Sequence, residues 1–343
     1  MYLFCYGTRP EIIKQFPLIK EFKKRKIKYK TLFTGQHLDL VKDFYNLIGK
    51  PNYTLEDVLE SGQSLNQLVS KIISKTDIFL KQNINLIVQG DTSTAFAVAL
   101  AGFQNSNKVI HLEAGLRTFN LKSPFPEEAN RSLISKISDI HFCPTRKAVA
   151  NLKAEGIKQN VFYVGNTIVD SYKYIDKYGV PSEEVKNIVD KNVQYFICTL
   201  HRRENRKHLL KLWKDINAIS EHKKIIYINH PSVNESAKYL SNNVLQINPV
   251  SYQDMVYLIK NSDGVISDSG GIQEEVISAK KNILICRDTT ERPETIDSGY
   301  GKLVGLEIAN NISFLENKNH KSKNPYGENV SQKITDILCD LNV

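Results

Sequence analysis

Four acidic side chains stand where the sequence predicts that strands end or helices begin. Asp91 directly follows the apolar run NLIVQG, Glu113 follows KVIHL, and Glu127 and Glu128 follow a proline in SPFPEEANR. Carboxylates that converge on one site repel each other, which raises the pKa of at least one and suits general acid–base catalysis. On its own, Asp91 is better explained as the N-cap of the helix predicted for TSTAFAVAL. Together, Asp91, Glu113 and one of the glutamate pair indicate a catalytic cluster.

Three basic side chains near predicted strand ends could contact an anion. The segment CYGTRPEIIK reads as a strand, a glycine turn and a helix start, which would hold Arg9 and Lys14 near the N–H groups of that helix end. In TLHRREN, His201 ends another predicted strand, where it could donate to a phosphate or shuttle a proton. An ordinary turn with surface cations is the alternative for Arg9 and Lys14. The position of Arg9 beside the turn favours anion binding.

The segment SDSGGIQEEV puts two glycines at the start of a predicted helix. Ser269, Gly270 and Gly271 would present backbone N–H groups there, and glycine lets a bulky anion such as a diphosphate approach the backbone closely. Glu275 would lie one turn into this helix, where it could accept hydrogen bonds from ribose hydroxyls. The segment RDTTERPE, after the next predicted strand, strengthens this interpretation.

Apolar runs of strand length alternate with amphipathic segments almost throughout the chain. The first series comprises YLFCY, YKTLFT, NLIVQG, KVIHLEA, DIHFCP and VFYVG, and the second comprises YFICTL, KIIYINH, NVLQINP, DGVISD and NILICR. Such alternation predicts parallel sheets with crossover helices, and two successive series predict an α/β protein of two Rossmann-like, doubly wound domains. Because open α/β sheets bind ligands beyond the carboxyl ends of their strands, we expect a ligand cleft between the domains. We place the first domain at residues 1–166 and the second at 167–328.

Composition and charge exclude several classes of function. With 41% hydrophobic and 24% charged residues, the chain is typical of a soluble globular protein without a signal peptide, and no apolar run approaches the roughly 18 residues of a membrane span. The formal charge of +9 comes largely from dispersed lysines without clustered aromatic residues, so we expect no nucleic-acid partner. The five cysteines are scattered and the histidines lack metal-ligand spacing. We therefore expect a cytoplasmic protein without a metal site.

A series of segments resembles, in the same order, the motifs of the non-hydrolysing UDP-N-acetylglucosamine 2-epimerase family. They are GTRPEIIK, TGQH, QGDTSTA, HLEAGLRT, PFPEEANR, VGNTIVDS, HRREN, SDSGGIQEE, RDTTERPE and NPYG. Since they run from residue 7 to residue 327, the resemblance covers nearly the whole chain. Each motif alone is weak evidence, but the ordered set is highly specific.

The resemblance implies a fold like that of GT-B glycosyltransferases, with a UDP-sugar between two domains and the last helix, within residues 329–343, crossing back onto the N-terminal domain. It implies an isomerase without a cofactor that inverts C2 of UDP-N-acetylglucosamine (UDP-GlcNAc) to give UDP-N-acetylmannosamine. The family's reaction eliminates UDP in the anti sense to a 2-acetamidoglucal, delivers a proton to the opposite face and adds UDP back. A homodimer and a place in polysaccharide biosynthesis are also implied.

The family pattern implies a role for each site residue. Asp91, Glu113 and Glu127 match the acid–base residues, although which of them removes the proton stays open. His201 matches a catalytic position that faces the diphosphate. The positions that match the UDP-sugar contacts are Arg9, Lys14, Ser269, Gly270, Gly271, Glu275 and Arg292.

Many bacterial members of this family bind a second UDP-GlcNAc molecule as an activator. Asp39 and Gly62 depart from the residues common at that site, so we treat its matching positions only as a candidate allosteric site. These positions are Gln36, Gln63, Glu128, Arg202 and His230.

Three other reactions fit parts of the sequence. The same epimerisation could act on a related UDP-sugar, such as a 2,3-diacetamido sugar or a 6-deoxy-L-hexosamine, and the hydrolysing epimerases are a further relative. A GT-B glycosyltransferase would use the same donor site. It would need an acceptor groove and usually one base, whereas this chain offers three carboxylates in its N-terminal half.

Overall fold

The computed structural model describes residues 1–35, 43–60, 62–81, 83–189, 194–230, 233, 238–317 and 323–343. These residues form two compact units. The first unit comprises Met1–Ser171 and Tyr326–Val343, and the second comprises Tyr172–Pro325. Each unit is built on its own parallel sheet with helices in the connections, which confirms the two Rossmann-like α/β domains expected from the sequence.

The first unit contains seven strands: β1 (Tyr2–Tyr6), β2 (Tyr29–Phe33), β3 (Tyr53–Thr54), β4 (Asn85–Gln89), β5 (Lys108–Leu112), β6 (Ile140–Cys143) and β7 (Val161–Tyr163). They pair in the order β3–β2–β1–β4–β5–β6–β7, and the pairings are parallel. The winding reverses between β1 and β4. The loops that leave the carboxyl ends of these two strands therefore border the crevice where doubly wound sheets bind ligands.

Helices cover this sheet. They are α1 (Arg9–Lys24), α2 (Tyr45–Ile48), α3 (Leu65–Thr76), α4 (Ser93–Gln104), α5 (Glu127–Ile137), α6 (Arg146–Ala154) and α7 (Ile168–Tyr178), and α7 runs across the boundary between the units. Helices α3, α4 and α5 pack side by side in that order. A Cβ on Gly102 of α4 would lie only 2.8 Å from Leu86 Cδ2, so this helix lies close against β4. Because the sheet is covered, β1 is buried along its whole length, as its unbroken apolar sequence predicts.

The second unit contains six strands: β8 (Tyr195–Thr199), β9 (Lys224–Ile228), β10 (Val244–Ile247), β11 (Gly264–Ser267), β12 (Ile283–Ile285) and β13 (Gly301–Leu303). They pair in parallel in the order β10–β9–β8–β11–β12–β13. This is the strand order of the dinucleotide-binding Rossmann fold, and its reversal lies between β8 and β11.

The helices of the second unit are α8 (Glu183–Ile188), α9 (Leu209–Ser220), α10 (Tyr252–Asn261), α11 (Gly270–Ser278), α12 (Pro293–Asp297) and α13 (Ser313–Glu316). Helix α9 buries Leu212, Trp213 and Ile216 in the core of this unit. The Trp213 ring packs edge-on against Tyr227 of β9, with 5.1 Å between ring centroids. Aromatic pairs of this geometry contribute about 1 kcal/mol beyond their buried area.

The last helix, α14 (Val330–Asp340), belongs to the first unit and packs against α1. The chain that leads into it is tied to the loop after β7, because Asn166 N donates to Tyr326 O at 2.8 Å. Ser331 N, in the first turn of α14, donates to Asp170 Oδ2 at 2.7 Å. A carboxylate at a helix N-terminus satisfies its N–H groups and complements its dipole.

Each of the eleven strands expected from the sequence is present. Strands β3 and β13 were missed because they have only two and three residues, too few to form a recognisable apolar run. Four of the cysteines are buried thiols and Cys339 is exposed. Most of the loop expected around residues 317–324 lies outside the described residues. In the part of the chain that the structure describes, no helix has the length and apolar character needed to cross a bilayer.

Two glycines with left-handed backbone test how tightly the C-terminal segment is held. Gly165 (φ +100°) and Gly156 (φ +83°) would both strain an alanine, but a Cβ on Gly165 would lie 2.2 Å from Tyr326 O, whereas one on Gly156 meets nothing within 4 Å. We predict that Gly156→Ala lowers the free energy of unfolding by about 1–2 kcal/mol. Gly165→Ala should cost about 1–3 kcal/mol more, because the backbone must also move. Urea unfolding measures both, and equal losses would contradict this packing.

Candidate active site

Two loops border the strand reversal of the first sheet, and both carry residues singled out from the sequence. The loop after β1 leads into α1, whose first residue is the half-buried Arg9. The loop after β4 contains Gly90 and Asp91. Gly90 has a left-handed φ of +71°, and its carbonyl oxygen lies 2.9 Å from His111 Nε2. These contacts fix the backbone directly in front of Asp91.

Glu113 follows β5 and has an unusual backbone conformation. Its φ of +63° lies in the left-handed region, which costs a non-glycine residue about 1–2 kcal/mol. Its side chain is 6% exposed, and both carboxylate oxygens lie 2.7 Å from Lys14 Nζ. Gln89 Nε2 also donates to this carboxylate. Strain of this kind persists only where neighbouring groups enforce it, and such residues cluster at functional sites.

Lys14 lies within this buried cluster. The sequence suggested a position close to Arg9 at the start of α1, facing an anion. In the structure the Lys14 ammonium instead neutralises the charge of Glu113, in surroundings where screening by water is weak. A contact between Lys14 and a diphosphate stays a prediction.

A small cavity of about 10 Å³ lies beside Glu113, enough for one water molecule. Its polar lining comes from Gln89, Glu113, Asn166 and Thr167. A water molecule there could exchange protons with the carboxylate. The cavity therefore belongs to the same cluster as Glu113.

Asp91 pairs with Arg131 of α5, and its side chain is 26% exposed. The alternative interpretation of Asp91 as an N-cap is wrong, because the helix α4 begins one residue later, at Ser93. Thr92 is the N-cap, and its Oγ1 accepts a hydrogen bond from Ala95 N at 3.0 Å. Asn130 Nδ2 donates to the Asp91 carbonyl oxygen at 2.9 Å. The Asp91 carboxylate is thus presented at the strand reversal without serving the helix.

Glu127 and Glu128 both lie at the start of α5 but have different surroundings. Glu128 is buried, accepts hydrogen bonds from Thr118 N and Phe119 N at 2.9 Å each, and lies 3.3 Å from Arg131. Glu127 is half-buried, and its Oε2 accepts no hydrogen bond from the described part of the chain. Glu128 therefore holds the preceding loop, whereas a catalytic role for Glu127 stays a prediction.

In the second unit, the buried carboxylate of Asp268 holds the loop after β8. Asp268 is 0% exposed and accepts hydrogen bonds from the backbone N–H groups of His201 and Arg202, at 3.1 and 2.9 Å, and from Asn205 Nδ2 at 2.9 Å. His201 Nδ1 lies 3.4 Å from Asp268 Oδ1, and the imidazole stacks on His230 with 4.8 Å between centroids. Burial lowers the pKa of His201, although the Asp268 carboxylate acts in the opposite direction.

The two glycines at the start of α11 are there for different reasons. A Cβ on Gly270 would lie 2.6 Å from Arg292 Nη1 and 2.9 Å from Glu291 Oε1, so this position has no room for a side chain. A Cβ on Gly271 meets nothing within 4 Å. Ser269 is the N-cap residue. Among the described residues, its side chain makes no capping hydrogen bond to the helix. Backbone N–H groups at such an end suit an anion.

A buried ion-pair network fixes the arginine beside Gly270. Arg292 pairs with Glu274 at 2.8 Å and with Glu291, and Glu291 pairs with Arg287 at 2.8 Å. Burial of Glu291 opposes its ionisation, but its arginine neighbours outweigh this and hold the pKa of the carboxyl far below its usual range. Glu291 therefore stays ionised and keeps these arginines in place.

The structure describes some of the remaining candidate residues but not all of them. Gln36 lies outside the described residues. Gln63, half-buried before α3, accepts a hydrogen bond from Glu60 N at 3.1 Å. Glu275 is buried in the second turn of α11. The allosteric roles of Gln36 and Gln63, and those of Glu128, Arg202 and His230, stay predictions.

Sequence reasoning missed several buried polar residues that hold these loops, namely Glu11, Gln89, Asp268 and Glu291. Only Glu11 had a usable signal, since Thr8 followed three residues later by glutamate is the capping-box pattern. The partners of the others lie far away in sequence and became visible only in the fold. Among the described residues, no group of three or more His, Cys, Asp or Glu side chains could hold a metal ion.

Two Rossmann-like sheets, acidic side chains in the loops beyond the strands of one sheet, and an arginine-flanked helix N-terminus beyond the other are typical of enzymes that bind nucleotides and transfer protons. Residues 20–339 match the family model for UDP-N-acetylglucosamine 2-epimerase. The chain is 39% identical to the UDP-N-acetylglucosamine 2-epimerase of Salmonella borreze, covering 99% of this chain and 98% of that protein. The chain belongs to the UDP-N-acetylglucosamine 2-epimerase family, whose members are isomerase-type enzymes.

Solved structures show the same fold. The UDP-GlcNAc 2-epimerase from Neisseria meningitidis, bound to UDP-GlcNAc, superposes with a TM-score of 0.91 at 35% identity and 99% coverage of both chains. The Methanocaldococcus jannaschii UDP-GlcNAc 2-epimerase, in complex with UDP-GlcNAc and UDP, has a TM-score of 0.88 at 34% identity, with 99% of this chain and 100% of that chain covered.

The unequal surroundings of the α11 glycines predict unequal effects of alanine. Gly270→Ala should lower the free energy of unfolding by about 1–3 kcal/mol, since the methyl group displaces Arg292 and Glu291 from their ion pairs. Gly271→Ala should leave it unchanged or raise it by about 0.4–1 kcal/mol, because alanine restricts the unfolded chain. Urea unfolding of both variants checks this, and an equal loss at both positions would contradict the assignment.

The buried His111 predicts a dependence of stability on pH. Burial lowers its pKa to about 3, so the folded protein keeps this imidazole neutral while the unfolded chain protonates it near its ordinary value. The stability that depends on a neutral His111 is therefore fully present at a pH above the ordinary pKa of histidine, and it is lost as the pH falls below that value. Between about pH 7.5 and about pH 5, His111→Gln should lose roughly 2 kcal/mol less stability than the wild type. Urea unfolding at several pH values measures the free energy of unfolding of both proteins. Two parallel profiles of that free energy against pH would refute the prediction.

Proposed function

We propose that this enzyme interconverts UDP-GlcNAc and UDP-N-acetylmannosamine by inverting C2, without releasing the free sugar. The observation that supports this most is the position of Asp91 and Glu113 in the loops after the neighbouring strands β4 and β5, each paired with a buried cation. Inversion at C2 needs one group to remove a proton and another to return it on the opposite face. Asp91, Glu113 and Glu127 are the residues that we assign to these two tasks.

The order of bond changes follows from the chemistry of the sugar. No carbonyl group acidifies the C2 proton, so the C1–O bond must be largely broken as that proton is removed. The C1–O electron pair leaves with UDP, and the C2–H electron pair forms the C1=C2 double bond of a 2-acetamidoglucal. Protonation of C2 from the other face and addition of the UDP oxygen to C1 then complete the epimerisation. Carboxylates nearby stabilise the positive charge that develops at C1.

Lys14 and Gln89 support this assignment by holding Glu113. Their contacts keep the carboxylate in one orientation on a backbone that would otherwise relax. Preorganised charge of this kind acts without the cost of reorganising when the transition state forms. The ion pair with Arg131 acts in the same way on Asp91.

We assign binding of the leaving group, UDP, to the second unit. Departing UDP carries negative charge, and the N-terminus of α11 and the guanidinium of Arg292 would stabilise that charge. His201, oriented by Asp268, would donate to the diphosphate. Glu275 would accept hydrogen bonds from the ribose. The ligands of the Neisseria and Methanocaldococcus epimerases support a UDP-sugar as the substrate.

Assembly, location and pathway form part of the same proposal. We infer a cytoplasmic homodimer that supplies a sugar nucleotide to polysaccharide biosynthesis. Burial of four thiols in an unoxidised state is consistent with a reducing compartment. Light scattering on the purified protein tests the assembly, since a monomer mass at working concentration would remove the dimer from the proposal.

The reaction is tested by incubating the enzyme with UDP-GlcNAc in deuterated water, without an acceptor, and recording proton NMR spectra. We expect UDP-N-acetylmannosamine with deuterium at C2. Free N-acetylmannosamine would indicate a hydrolysing enzyme. An unchanged spectrum would reject this substrate, and the same experiment with a 2,3-diacetamido or 6-deoxy UDP-sugar would follow.

Replacing Asp91 separates the chemistry from binding. Asp91→Asn should lower deuterium incorporation by at least about 100-fold, because general acid–base groups contribute factors of this size. UDP affinity, measured by calorimetry, should stay within about 3-fold, since UDP binding is assigned to other residues. Asp336→Asn is the matched control, because it also removes an aspartate that pairs with an arginine, here Arg25 on the surface. A wild-type rate in Asp91→Asn would remove Asp91 from the mechanism.

A further inference from the structure

Glu11 is a buried carboxylate that takes no direct part in the proposed chemistry. It lies in the first turn of α1 and is 1% exposed. Its Oε2 accepts hydrogen bonds from Gly7 N at 2.8 Å, Thr8 N at 2.7 Å and Thr8 Oγ1 at 2.8 Å. Its Oε1 accepts one from Thr92 Oγ1 at 2.7 Å. All four donors thus belong to the two loops at the strand reversal.

These hydrogen bonds join the loop after β1 to the loop after β4. Thr8 directly precedes Arg9, and Thr92 directly follows Asp91. Thr92 Oγ1 also accepts a hydrogen bond from Ala95 N, so the Thr92 hydroxyl connects the first turn of α4 to the Glu11 carboxylate. A shift of one loop would therefore be transmitted to the other through Glu11.

Only an ionised carboxylate can accept from all of these donors. Glutamine would replace one of the two accepting oxygens with an NH₂ donor, and an apolar side chain would leave buried N–H groups without an acceptor. Burial raises the pKa of Glu11, and the hydrogen bonds from Thr92, Gly7 and Thr8 act in the opposite direction.

Close packing prevents the first loop from adjusting to a change. A Cβ on Gly7 would lie 2.2 Å from Thr34 Oγ1 and 2.8 Å from Thr94 Oγ1, so the Gly7 backbone lies directly against these side chains. The loop is therefore held on one side by packing and on the other by Glu11.

We propose that Glu11 is a positioning residue that sets Arg9 and Asp91 at a fixed separation, through the hydrogen bond between its carboxylate and the Thr92 hydroxyl. This inference rests on the proposed function, in which Asp91 acts at C2 and Arg9 contacts the diphosphate. A displacement of about 1 Å can lower a rate about 100-fold, so the separation of the two residues matters for turnover.

The test breaks the link at Thr92, because replacing Glu11 itself could unfold the first unit. Thr92→Val keeps the shape of the side chain but loses both the hydrogen bond to Glu11 and the cap of α4. Thr145→Val is the matched control, since Thr145, like Thr92, is a threonine whose hydroxyl caps a helix, here accepting from Ala148 N at 3.1 Å. Thr145 is buried whereas Thr92 is half-buried, so the control removes a hydroxyl with at least as little access to water. Thr92→Ser keeps the hydroxyl and should restore the link.

Rates of deuterium incorporation from solvent into the sugar, measured at several UDP-GlcNAc concentrations, give kcat and KM for each variant. We expect Thr92→Val to lower kcat at least about 10-fold with KM changed less than about 3-fold, because orientation of the acid–base group is lost while substrate binding remains. Thr145→Val should stay within about 2-fold of the wild type despite a similar fall in melting temperature, and Thr92→Ser within about 3-fold. Equal kcat values in Thr92→Val and Thr145→Val, or a Thr92→Ser variant as slow as Thr92→Val, would overturn the proposal.

Failure of the proposed function would be seen separately, as a wild-type enzyme that leaves UDP-GlcNAc unchanged. The amide ¹H and ¹⁵N chemical shifts of Gly7 and Thr8 then decide the inference without a substrate. Their displacement in Thr92→Val but not in Thr145→Val supports the link through Glu11. Unchanged shifts in Thr92→Val overturn it.

Discussion

In each unit, a buried carboxylate accepts hydrogen bonds from backbone N–H groups in the loop that follows a central strand of the sheet. In the first unit, Glu11 accepts from Gly7 and Thr8, and in the second, Asp268 accepts from His201 and Arg202. Loops at the carboxyl ends of parallel strands have no ladder partners, so their N–H groups need another acceptor when they are buried. A carboxylate can satisfy several of them at once, and charge-assisted hydrogen bonds are the stronger kind. These hydrogen bonds come from within the chain and hold the loops that carry Arg9 and His201.

Preorganisation explains why the site combines strain with buried charge. Glu113 has a left-handed backbone and lies against Lys14, an arrangement that costs strain and desolvation and does not by itself stabilise the fold. The arginines around Glu291 beside α11 are likewise buried ion pairs, whose desolvation costs free energy. In each unit these charged groups are held in place by other charged groups, which fixes their orientation.

The sequence predicted the fold well because its strands are covered on both faces and appear as unbroken apolar runs. It also located Asp91, Glu113 and His201 at strand ends, since that depends only on the order of elements. It could not predict the contact of Lys14 with Glu113, which joins residues far apart in the chain. The alternative interpretation of Asp91 as a helix cap was wrong by one residue, the usual limit for helix boundaries. Gly270 and Gly271 looked equivalent until the neighbours of Gly270 were placed.

Amide hydrogen exchange of the unliganded enzyme tests directly whether buried carboxylates order the loops at both strand reversals. The amides to follow are those of Gly7, Thr8, His201 and Arg202. Hydrogen-bonded to Glu11 or Asp268, these four loop amides should exchange on the order of 1,000-fold more slowly than in an unstructured chain, as strand amides do. Exchange within about 10-fold of the unstructured rate at these positions, with protection confined to the strands, would contradict the account.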